Sequence, residues 1–71
     1  MASFKTRKIV KILGKLGFNQ KRQTGSHLIM YNPHLKKTIP VPMHVKELKR
    51  GLVKAIIKQA NSTEKEFLRL K

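Results

Sequence analysis

Gly25-Ser26-His27 stands between two strand-like runs in a 71-residue chain whose formal net charge is +14. An imidazole, with an unperturbed pKa of ~6.5, can take up or give a proton near neutral pH. Set among cations and almost no carboxylates, it suits phosphodiester chemistry on RNA. The RNA 2′-hydroxyl is an internal nucleophile. A protein that cuts RNA therefore has to remove that proton, supply one to the leaving oxygen and stabilise the charged phosphorane. One positioned acid or base contributes ~10²–10⁴-fold, and nearby lysines and arginines stabilise the developing charge. DNA lacks the nucleophile, so the chemistry is confined to RNA. The same tripeptide also reads as an ordinary turn and strand start in a protein that only binds RNA, and spacing alone favours that reading over catalysis.

Composition narrows the alternatives. Seventeen Lys and Arg face three acids (Glu47, Glu64 and Glu66), and there is no Asp. Charge of this size repels itself in a compact fold and calls for a polyanionic partner, nucleic acid first. Two-metal nucleases need clustered carboxylates, which a chain without acids before position 47 is poorly equipped to build. His27, His34 and His44 match no familiar zinc spacing, and with no Cys there is no thiolate ligand, disulfide or thiol nucleophile. A Ser26–His27–acid triad fails because neighbouring strand residues point to opposite faces. No metal or other cofactor is expected. The N-terminal residues carry no apolar stretch of a secretory signal, and no apolar run nears the ~18 residues of a membrane span. The expected location is the cytoplasm, with no membrane contact.

The elements that must position these groups follow from periodicity. Ile9, Ile12, Leu13 and Leu16 form one helical stripe, with Thr6 as a candidate N-cap and Gly17 as a stop. Lys8, Lys11 and Lys15 line another face. Strands are expected over 18–23, 27–31 and 38–41, with Pro40 and Pro42 confining the last to an edge. A second helix is expected over 45–60, with Leu48, Leu52, Ala55, Ile56 and Gln59 on its inner stripe and Lys46, Arg50, Lys54 and Lys58 on a basic one. Asn61 ends it. Thr63 and Glu66 have capping-box spacing ahead of a last turn through Phe67 and Leu70. Phe18 and Tyr31 are expected in the core, His34 in a loop, and His44 as a cap or packing residue. The fold class is α+β: one two-layer α-β-β-β-α domain over 1–71 with a short helical tail.

Arg22-Gln23-Thr24-Gly25-Ser26-His27, then Pro42-Met43-His44, Glu47-Leu48, Gly51 and Ile56-Ile57-Lys58-Gln59-Ala60, resemble the HicA toxin family in order and spacing. Leu16-Gly17-Phe18 and Glu66-Phe67-Leu68 fit as well. The resemblance implies a fold similar to the double-stranded-RNA-binding domain. It also implies a type II toxin that acts as an mRNA interferase, inhibits translation and is neutralised by a HicB antitoxin covering its active site. The family's essential histidine maps onto His27, with Gly25 and Ser26 beside it, and His44 matches a Pro-x-His segment with at most a supporting role. Lys21 and Arg22 are the expected phosphate contacts, followed by Lys36 and Lys37. The competing reading is a non-catalytic RNA-binding module of the same fold.

Overall fold

A computed structural model describes residues 4–71. In chain order the elements are β1 (Phe4–Lys5), α1 (Thr6–Lys15), β2 (Asn19–Thr24), β3 (His27–Asn32), β4 (Lys37–Pro42), β5 (Glu47–Leu48), α2 (Arg50–Gln59) and α3 (Glu64–Leu70). β2, β3 and β4 form an antiparallel meander with β3 at the centre, and β1 pairs with β5 in a separate antiparallel ribbon. The helix–three-strand–helix order is the α+β arrangement expected, of the kind seen in double-stranded-RNA-binding domains.

β3 alternates cleanly. Leu28, Met30 and Asn32 are buried, while His27, Ile29 and Tyr31 lie on the opposite, open face. Ile39 and Val41 of β4 join the buried side. Ile9, Ile12 and Leu13 of α1 and Val53, Ile56 and Ile57 of α2 close one core over them. α3 seals it with Phe67, whose ring meets Phe4 edge-on at 6.1 Å and 82°. Tyr31, expected in the core, instead stays half-buried on the open face with the Lys21 ammonium 5.2 Å from its ring centroid.

Both long helices stop by the same device. Gly17 adopts φ +97°, its N–H donates to Gly14 O at 3.1 Å, and Phe18 N–H donates to Leu13 O at 2.9 Å. This is a Schellman motif. Asn61, at φ +55°, does the same for α2, through its own N–H to Lys58 O at 3.1 Å and that of Ser62 to Ile57 O at 3.0 Å. At Gly17 a Cβ would also sit 3.2 Å from Asn32 Nδ2, so Gly17→Ala is expected to cost roughly 1–3 kcal/mol. Urea denaturation checks it; an unchanged midpoint contradicts the strain.

Three expectations need correction. Thr6 is the first residue of α1, and Lys5 holds the N-cap position without a side-chain cap. The Thr6 hydroxyl donates across the fold to Val45 O at 2.7 Å, and its N–H donates to Lys46 O at 2.8 Å. α2 begins at Arg50, because Glu47 and Leu48 are drawn into strand pairing with Lys5 and Phe4. Its inner stripe is Val53, Ile56, Ile57 and Ala60, while Leu52, Ala55 and Gln59 are exposed. Both stripes satisfy helical periodicity; placing Leu48 in a strand removes the anchor of the expected one. The tail is capped by Thr63 Oγ1, which accepts from Glu66 N–H at 3.1 Å. The Glu66 carboxylate accepts from the Ser62 hydroxyl rather than from a backbone amide.

Candidate active site

The β2–β3 connection is a two-residue turn, since Thr24 pairs with His27. Gly25 is at φ +56° and Ser26 is not at positive φ, the pattern of a II′ hairpin whose twist suits the strands. An added Cβ at Gly25 would meet nothing within 4 Å. Its glycine therefore serves the turn's conformation and leaves its surroundings open. His27 follows as the first residue of β3, exposed, on the face away from the core.

Pairing sets its neighbours. Arg22 stands opposite Ile29, one step diagonally from His27 and on the same face. The register shifts between Gln20 and Arg22, leaving Lys21 as a bulge that swings its ammonium over Tyr31 on this same face. Lys21, Arg22 and His27 thus share one surface, with Gly25 and Ser26 at its tip. Lys36 and Lys37 do not reach it. They lie at the other end of β3, Lys36 in the turn with φ +55° and Lys37 donating to Asn61 Oδ1 at 2.8 Å.

His44 does reach it. Pro42 pairs with His27, and the next amide, Met43 N–H, donates to Ser26 O at 2.6 Å. This brings His44 round so that the two imidazole centroids are 6.5 Å apart, with planes inclined by 59°. The loop of residues 43–46 is then pinned on its far side by the two Thr6 bonds. His44 is therefore neither a helix cap nor packing, since α2 starts six residues later and the side chain is exposed. Neither imidazole hydrogen-bonds to the protein among the described residues. A groove of ≈ 620 Å³ opens beside His44, walled by Lys5, Arg7, Lys46 and Glu47.

Spacing left His44 ambiguous; the missing signal was the β3–β4 register, which carries position 42 alongside position 27. His34 sits in the turn at the opposite end of β3, where its N–H is held by Asn32 Oδ1 at 2.8 Å. The three histidines do not converge, and no group of three metal-ligating side chains occurs among the described residues.

A second basic surface adjoins the first through Lys5 and Arg7. All six residues of β2 are exposed, because the helix layer rests on β3 and β4 and leaves β2 uncovered. Between α1 and β2 runs a groove of ≈ 730 Å³, with Lys5, Arg7, Lys8 and Lys11 on its rim and Val10, Phe18 and Met30 in its floor. Lys15, grouped by spacing with Lys8 and Lys11, is engaged: its ammonium donates to Leu70 O at 3.2 Å and ties α3 to α1. No helix among the described residues is long and apolar enough to cross a membrane.

Comparison with known proteins gives one result that bears on this geometry. The family model described as the HicA toxin of bacterial toxin–antitoxin systems matches residues 6–61, a span that includes both histidines. No curated protein matches the chain.

Proposed function

This chain belongs to the HicA toxin family of bacterial toxin–antitoxin systems, and from that premise we propose that it is an mRNA interferase. It binds mRNA, cleaves it without a metal and so inhibits translation. The observation that carries the reading is the exposed His27 imidazole, free of hydrogen bonds among the described residues, on one face with Lys21 and Arg22. His27 transfers a proton in the attack of the 2′-oxygen on phosphorus. Arg22 and Lys21 hold the phosphate and offset the charge that builds on it. Gly25 and Ser26 form the tip of the substrate surface, where Ser26 can donate from its hydroxyl. An acidic HicB-type antitoxin supplies the counter-charge that 17 cations and three acids require, and it covers the same face.

The purified protein tests this against an RNA oligonucleotide and its all-2′-deoxy analogue in excess chelator. The RNA is expected to give 5′-hydroxyl and 2′,3′-cyclic phosphate ends, and the deoxy strand to survive. Equal cutting of both strands, or loss of all cutting in chelator, contradicts the mechanism. A second reading, a binding module without catalysis, draws its support from the α1–β2 groove, where Lys8 and Lys11 lie apart from the His44 groove. It predicts intact RNA in the same experiment.

A further inference from the structure

We infer that His44 is the second proton-transfer group of the site, working opposite His27 across the scissile phosphate. The inference rests on the reading of the site as a ribonuclease and adds the half of the proton balance that one histidine leaves unassigned. When the 2′-oxygen forms its bond to phosphorus, its proton must go to a base. When the bond from phosphorus to the 5′-oxygen breaks, that oxygen must receive a proton. The products are a 2′,3′-cyclic phosphate and a 5′-hydroxyl, and the protein ends with one imidazole protonated and the other not. Entering and leaving oxygens occupy opposite apices of the phosphorane, so the two groups must stand apart and face each other across it.

His27 and His44 stand near enough to serve one phosphate. Each ring nitrogen needs about 2.6–3.2 Å to its oxygen. Rings with centroids 6.5 Å apart are not in face-to-face contact and both reach one phosphate, and turning either exposed side chain about its own bonds widens the gap to what the two apical oxygens need. Both side chains are exposed, and neither spends a nitrogen on a partner among the described residues. The positions are nonetheless fixed: the Ser26–Met43 backbone bond ties the two segments together, and Thr6 holds the loop from behind. The loop is thus clamped at both ends and presents one exposed imidazole to another. The charged groups nearest the pair are Arg22 from β2, Lys5 and Arg7 from the β1–α1 junction, and Lys46 and Glu47 beyond the loop. Four of the five are cations, suited to a phosphate held at the centre.

The test is single-turnover cleavage by the full chain carrying His44→Ala or His44→Gln, followed across pH. Affinity is measured separately with the uncleavable 2′-deoxy strand. The rate is expected to fall ~10²–10⁴-fold in both variants, with affinity and melting temperature unchanged. The bell-shaped pH profile of the wild type should lose one limb in the His44 variants and the other in His27→Ala. A substrate with sulfur at the 5′-bridging position, whose leaving group needs no proton, should restore the rate of one of the two histidine variants and not the other. Wild-type rate and both limbs in the His44 variants overturn this inference and leave the reading of His27 standing. A rate loss matched by lost affinity, with both limbs kept, also overturns it and makes His44 an RNA contact. Wild-type protein that does not cut RNA overturns both.

Discussion

His27→Ala is expected to lower RNA cleavage by ~10²–10⁴-fold while leaving the fold and RNA affinity nearly as they were. The imidazole is exposed at the first position of β3 and makes no hydrogen bond among the described residues, so its removal leaves no cavity and no orphaned partner there. Substitutions of that kind usually change stability by no more than about 0.5 kcal/mol. The proposed phosphate contacts of Lys21 and Arg22 are untouched, so the slope of log affinity against log salt, roughly −0.7 per phosphate contacted on a single strand, should match wild type. His27→Gln, which keeps polarity but cannot shuttle a proton at neutral pH, should be as slow as the Ala variant. In cells, induction of the wild type should arrest growth with fragmented mRNA, and equal amounts of soluble variant should not. Undiminished cutting by the purified variant removes His27 from the mechanism.

Phe67→Ala is expected to cost about 3–5 kcal/mol. Phe67 is fully buried, and of the coupling with Phe4 about 0.5–1.5 kcal/mol exceeds area burial alone. At ~0.05–0.15 kcal/mol per residue, a domain of this size has about 4–11 kcal/mol in hand, so the loss is a large share of the total. Guanidinium unfolding measures it, and a change below about 1 kcal/mol contradicts the packing role. The effect should reach the chemistry as well. Phe4 pairs with Leu48 and, with Thr6, backs the loop that presents His44. Conditions that leave the variant folded should still show slower cleavage than the stability loss alone explains.

These two residues illustrate what sequence discloses. His27 was legible because everything that places it is local: a tight turn with a required glycine, then an alternating strand. The first helix, its glycine stop, the meander and the capped tail were legible for the same reason, and the resemblance to the HicA family supplied the residue order. What stayed hidden depends on partners remote in the chain. The β1–β5 ribbon is two residues on each side, too short for a periodic signal, and with it went the true start of α2 and its inner face. The Thr6 hydroxyl bond spans 39 positions and turned an expected cap into a tether for the His44 loop. Lys15 and Lys37 looked like free cations until the fold gave each a carbonyl oxygen. The pairing of His44 with His27 needed a register that no run of residues announces.

The uncovered strand β2 has one more consequence. A six-residue edge with unpaired amides and carbonyls along its outer side is a template on which a sister molecule could extend the sheet. Here it is spoiled for that purpose. The Lys21 bulge interrupts the even spacing that a flat ladder needs, and Lys21 and Arg22 would meet the same charges on an identical strand. The feature that gathers cations beside His27 therefore also works against self-association. A protein produced in excess can stay dispersed, and the edge is left to partners that bring negative charge.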